Sequence, residues 1–283
     1  MAATANGDNR RVVRTVVGIP ATDGAGVKLT RLIGTQALPD LDPFLMLDEF
    51  RSDDPDAYIA GFPNHPHRGF ETVTYMLAGR MRHGDNQGNS GLLTAGSLQW
   101  MTAGRGIVHS EMPEQVDGLM WGFQLWINLP AAEKMTAPSY QDVPPNEIPT
   151  PSTDSGAAVK VLAGSFGGIT GAARSGTTDP LYLDVALAAD GTVSVPVSAG
   201  YTAIVYVFEG TIDIDGADPV RQGQLAILTD GSLITLTAGD AGGRALVLAG
   251  RPLNEPIAKY GPFVMNTQAE LHQAVADFQA GRF

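Results

Sequence analysis

The chain predicts an all-β protein built as a duplicated barrel or sandwich, and three observations predict it. Helix-period patterns are scarce across the 283 residues. Short runs rich in Val, Ile, Leu, Thr and aromatic residues recur between glycine-containing turns, and the 34 glycines are consistent with many such turns. The second half also repeats the pattern of the first.

In chain order, the first half has strand-like runs at Val12 to Val17, Val27 to Ile33, Phe44 to Phe50, Thr72 to Leu77, Leu98 to Met101 and Gly122 to Leu129. The second half has them at Val159 to Ala163, Leu181 to Leu187, Thr202 to Phe208, Thr211 to Ile214, Leu225 to Leu228 and Ala245 to Ala249. Pro138, Pro144, Pro145, Pro149 and Pro151 lie between them, where missing amide donors discourage helix and central strand alike. We therefore expect a domain at 1–137, a Pro-rich linker at 138–155 and a second domain at 156–283. Thr267-Gln-Ala-Glu270 fits a capping box, and Leu271, Val275 and Phe278 form an apolar stripe ending near Gly281. A short C-terminal helix packed on a barrel is predicted.

Three of the five histidines fall into two short pairs, His65-Pro-His67 and, 42 residues after His67, His109-Ser-Glu111. Residues i and i+2 share one face of a strand, so each pair aims two donors the same way. Four such donors suit iron, copper, nickel, cobalt or zinc, and on an octahedral ion they leave two positions open for chemistry. Aligning the halves on Gly79 with Gly210 and on Gly96 with Gly223 maps His65 and His67 to Pro196 and Ser198. The same alignment maps His109 and Glu111 to Leu236 and Ala238. Only the first copy is expected to hold metal.

Composition narrows the remaining classes. A net charge of −12 argues against direct nucleic-acid binding, and Arg10, Arg11 and Arg14 read as a solvated strand edge. Cysteine is absent, which removes thiolate sites and disulfides. The first residues lack the apolar stretch of a signal peptide, and no run approaches the roughly 18 apolar residues of a membrane span. The expected location is cytoplasmic, with no membrane association. His83 is expected in a hairpin loop at a pocket rim, and His272 on the terminal helix is expected to be bland. Trp100, Met101, Met112, Met120, Trp121 and Trp126 are candidates for core or for pocket lining.

Four segments together resemble the pirin family of the cupin superfamily, and specifically its bacterial quercetin 2,3-dioxygenases. They are Phe62-Pro-Asn-His-Pro-His-Arg-Gly-Phe-Glu-Thr-Val-Thr-Tyr75, Gly96 through Met112, Gln124-Leu-Trp-Ile-Asn-Leu129 and Tyr260-Gly-Pro-Phe-Val-Met-Asn-Thr267. The resemblance covers nearly the whole chain. It implies a bicupin, two antiparallel β-barrels (jelly rolls) facing each other, with Fe(II) or another divalent transition metal in the N-terminal one and none in the C-terminal one. It also implies His65, His67, His109 and Glu111 as the ligands, and it favours Glu111 over Glu71 as the carboxylate ligand, leaving Glu71 an orienting or structural role. The loop after His83 departs from the family's usual His-x-Asp-Ser.

Three neutral imidazoles and one carboxylate leave a divalent ion with a net charge of about +1, which favours an anionic chelator such as a flavonolate. The expected partners are thus a flavonol-like small molecule and O2. Glu111 is the expected catalytic base for the 3-hydroxyl proton, with ring opening and loss of carbon monoxide to follow. The alternative implied by eukaryotic pirins is an iron-binding, redox-sensing regulatory protein acting through a protein partner. A sugar-phosphate isomerase fits less well, because no basic cluster lies near the ligand segments to hold a phosphate.

Overall fold

The computed structural model describes residues 8–283 except residues 154, 175 and 217. Contacts divide the chain into two compact units, neither contiguous in sequence. One is Ile19–Glu147 with Leu253–Phe283, and the other is the segment up to Gly18 with Ile148–Pro252. The expected division grouped the first strand with the N-terminal half and the terminal helix with the C-terminal half. By contacts each falls in the other unit. The reason is pairing: Val12–Val17 adds antiparallel to Gln224–Leu228, whereas Gln268–Gln279 packs on the Ala258–Tyr260 and Phe263–Met265 hairpin.

Besides the hairpin of residues 258–265, the unit around residues 19–147 contains two larger antiparallel sheets. The seven-stranded sheet runs in the order Ser139–Val143, Leu98–Thr102, Phe70–Ala78, Met120–Asn128, Phe44–Ser52, Val27–Ile33, Ile19–Asp23. The four-stranded sheet runs Phe62–His67, Ile107–Pro113, Met81–Asp85, Ser90–Leu93. Alternation sorts the side chains. On Met120–Asn128, Phe123 and Leu125 are fully buried in core while Gln124 and Trp126 face a cavity.

Two expectations need correction here. Ser139–Val143, placed in the linker, is a strand paired with Leu98–Thr102, because the prolines flank it at 138 and 144 and leave its five amides free to donate. His83, placed in a loop, lies inside Met81–Asp85. The turn comes after it, where the Asp85 carboxylate accepts from the amides of Gln87 and Asn89.

The other unit is dominated by an eight-stranded antiparallel sheet with two long strands, Thr202–Ile214 and Leu233–Gly250. Thr202 to Phe208 and Thr211 to Ile214, expected as separate strands, are one strand carrying irregularities at Val207/Glu209 and Gly210/Ile212. Leu236 and Ala238, the counterparts of His109 and Glu111, belong to its apolar core.

Arg10 is not a solvated edge residue. It is 0 % exposed, and its guanidinium donates to the carbonyls of Tyr201 and Ser198 at 2.8 Å and of Gly231 and Thr229 at 3.0 Å. Five donors in a fixed fork cross-link three chain segments that no aliphatic side chain could join.

The terminal helix has the predicted capping box: the Thr267 hydroxyl accepts from the Glu270 amide at 3.2 Å, and the Glu270 carboxylate accepts from the Thr267 amide at 2.8 Å. Leu271 and Ala274 are buried, Phe278 packs against Phe263 and Phe283, and Gly281 takes the positive φ of a helix stop. Among the described residues no helix is long and apolar enough to cross a membrane.

Candidate metal centre

Phe62–His67 pairs antiparallel with Ile107–Pro113, with His65 opposite His109 and His67 opposite Ile107. Directly opposed residues share a face, so this register delivers His65, His67 and His109 to one spot. Gly61 permits the approach. Its φ is +59°, and a Cβ there would sit 2.7 Å from Pro113 Cδ.

The imidazole centroids are 4.6 Å apart for His65 and His67, 4.4 Å for His65 and His109, and 5.0 Å for His67 and His109. One ligand atom from each lies within 4.8 Å of the other two, close enough for one ion. His65 Nδ1 is 2.8 Å from the Pro63 carbonyl, which makes it the N–H donor and leaves Nε2 a lone pair. His67 and His109 are buried, and His67 Nδ1 and both nitrogens of His109 have no hydrogen-bond partner. Orphaned buried nitrogens destabilise a protein unless something binds them, and a transition metal meets that need.

Burial, and then the neighbouring imidazoles, hold the pKa of His67 and of His109 well below the ordinary histidine range. Both rings therefore stay neutral and able to ligate. In the metal-free protein the unfolded chain takes up protons on these rings near pH 6.5 while the folded state refuses them. That component of stability is intact above the unfolded value and is lost as pH falls below it. We expect the melting temperature of the metal-free protein to drop between pH 7.5 and 5.5 by more than that of His109→Ala. Parallel profiles would contradict the assignment.

Glu111 is 3 % exposed, and its carboxylate accepts from the Thr74 hydroxyl at 2.9 Å and from Gln124 Nε2 at 3.4 Å. These two bonds join the four-stranded sheet to the seven-stranded one. Burial pushes the Glu111 carboxyl above its ordinary range, against the opposing pull of His65 and these hydrogen bonds. The 4.8 Å cluster closes on the three imidazoles only, and Glu111 stands beside it in the cavity wall.

Glu71 lies one residue out of phase with Thr74, on the opposite face of its strand, where it accepts from Thr102 Oγ1 at 2.8 Å. It is structural. His272 is exposed on the helix.

His65, His67 and Glu111 line a cavity of about 670 Å³, within the usual size range of small-molecule sites. Leu29, Met46, Phe50, Phe62, Met81 and Trp126 give it an apolar wall. Of the six aromatic and methionine candidates only Trp126 lines it. Trp100, Met101, Met120 and Trp121 are buried core, and Trp121 Nε1 donates to Glu49 at 2.8 Å. One wall carries an ion pair the sequence did not announce, the half-buried Arg31 donating to both oxygens of the buried Asp48 at 2.9 and 2.7 Å.

Two family models match the chain, pirin over residues 26–127 and the pirin C-terminal cupin domain over residues 182–283. A pirin-like protein of Caulobacter vibrioides is 50 % identical over 97 % of this chain and 99 % of its own length. Human pirin is 41 % identical over 96 % of this chain and 93 % of its own. The crystal structure of a quercetin 2,3-dioxygenase from Acinetobacter baumannii superposes with a TM-score of 0.90 at 34 % identity, covering 97 % of this chain and 98 % of that one. With both cupin domains matched and relatives aligned along nearly their full length, this chain belongs to the pirin family.

Proposed function

We propose that this protein is an iron(II)-dependent dioxygenase that cleaves a flavonol such as quercetin with O2 and releases carbon monoxide. The observation that carries the reading is the convergence of three imidazoles, two of them buried with nitrogens left unpartnered, at an apolar cavity beside a buried carboxylate. The likeness to a quercetin 2,3-dioxygenase supports the substrate class.

In this reading His65, His67 and His109 hold the metal, with Glu111 as a fourth ligand. The metal, when bound, supplies Lewis acidity toward the adjacent 3-hydroxyl and 4-keto oxygens of the flavonol and redox capacity toward O2. The protein does the rest. Trp126, Phe50 and Phe62 flank the planar rings and keep water away, which strengthens every charge interaction inside. Glu111 takes the 3-hydroxyl proton, and its raised pKa makes it a stronger base than an exposed carboxylate. Thr74 and Gln124 steady the carboxyl group through that transfer. Flavonol and O2 together supply all the atoms of the ring-opened ester and carbon monoxide, so no further oxidant is needed.

Glu111→Gln should retain bound metal on the three histidines and lose turnover by about 10²–10⁴-fold, the usual contribution of a positioned base. Loss of metal with the same fall in rate would make Glu111 a ligand and nothing more. The reaction itself is tested by incubating iron-loaded protein with quercetin under air. Loss of the flavonol absorbance should match carbon monoxide released mole for mole, and metal-loaded protein without turnover would contradict the proposal.

A further inference from the structure

Of the three clustered histidines, His65 has a backbone acceptor for the nitrogen that does not ligate, the Pro63 carbonyl at 2.8 Å, whereas His67 Nδ1 is unpartnered. His109 has none: both of its nitrogens are buried and unpartnered. Histidine ligands nearly always donate their second N–H to an acceptor that fixes ring orientation and raises basicity.

The neighbour able to meet that need is His83. Met81–Asp85 pairs antiparallel with Ile107–Pro113 so that His83 stands opposite Glu111 and Asp85 opposite His109. His83 is therefore on the ligand face, diagonal to His109, a relation that places Cα atoms about 7–8 Å apart and within reach of long side chains. It is 2 % exposed, and its Nε2 lies 2.9 Å from Asp142 Oδ2.

Hydrogen bonds from His83 and from Gln99 Nε2, the latter at 2.8 Å, outweigh burial and hold Asp142 below the usual carboxylate range. An ionised carboxylate only accepts, so His83 donates to it from Nε2, and Nδ1 is the ring nitrogen that Asp142 does not engage. That Nδ1 is itself buried and unpartnered, and Tyr140 stacked on the ring at 5.4 Å and 27° fixes the plane in which it points.

We infer that His83 is a positioning residue of the metal centre, its Nδ1 accepting the second N–H of His109 through one bridging water. The chain Asp142, His83, His109 then orients the third imidazole as Pro63 orients the first. The inference rests on the three-histidine metal reading, and it explains why a histidine is buried one strand away from the cluster.

The test measures Co(II) affinity by competition with a chromophoric chelator, together with the visible spectrum of the bound cobalt. The proteins compared are the wild type, His83→Phe, His83→Asn and Asp142→Asn. His83→Phe should bind roughly 10–100-fold more weakly, the usual cost of removing such an outer partner. His83→Asn, whose amide oxygen falls near the Nδ1 position, should recover most of the loss. Asp142→Asn, at the surface, should shift the cobalt spectrum, and it decides the matter should His83→Phe fail to fold. Wild-type affinity and spectrum in both His83→Phe and Asp142→Asn would overturn the inference while leaving the metal reading standing. A wild type that binds no cobalt would remove both.

Discussion

Replacing His109 by alanine is expected to weaken metal binding by more than about 100-fold, since loss of even an outer partner of a ligand costs 10–100-fold. Dioxygenase turnover should fall to background. The argument is geometric. His109 is opposite His65 and its centroid lies 4.4 and 5.0 Å from those of His65 and His67, so no other described imidazole can take its place. In the metal-free protein the same change removes two unpartnered buried nitrogens, a gain of about 1–3 kcal/mol that offsets the cavity left behind. The defect should therefore appear in metal content, by elemental analysis, with little change in the melting temperature of the metal-free form. Retained stoichiometric metal would contradict the ligand assignment.

Arg10→Met should destabilise the unit containing Ile148–Pro252 by at least about 1–3 kcal/mol, the cost of a buried carbonyl left without its donor. The change leaves the carbonyls of Ser198, Tyr201, Thr229 and Gly231 without their donor. Lysine is a poor substitute, because a single ammonium cannot reach four carbonyls arranged around a planar fork. Arg11, whose side chain is 79 % exposed, is the control, and Arg11→Met should stay within about 0.5 kcal/mol of wild type. Denaturant titration separates the two variants. Equal stabilities would mean that the Arg10 network contributes nothing net.

What the sequence made legible follows from period. His65 with His67 and His109 with Glu111 are two residues apart, and strand alternation alone puts each pair on one face. The helix cap was legible because Thr267 and Glu270 act within one turn. What stayed hidden depends on register or on long-range pairing. His83 matters because it stands opposite Glu111, a fact set by two strands far apart in sequence. Arg10 looked like part of a basic run until Val12–Val17 was seen to pair with Gln224–Leu228 and carry it inward. Ser139–Val143 was masked by the prolines around it, although none lies within it. Trp126 could not be told from Trp100 and Trp121 without knowing which face of each strand meets the cavity.

The central claim is that the three histidines hold a metal to which a flavonol binds through its own oxygens. The most direct measurement is an anaerobic titration of quercetin into metal-loaded protein, followed by absorbance. Chelation with loss of the 3-hydroxyl proton should produce a red-shifted flavonolate band that saturates at one equivalent and is absent in metal-free protein and in His109→Ala. Bound metal with no change in the quercetin spectrum would contradict it.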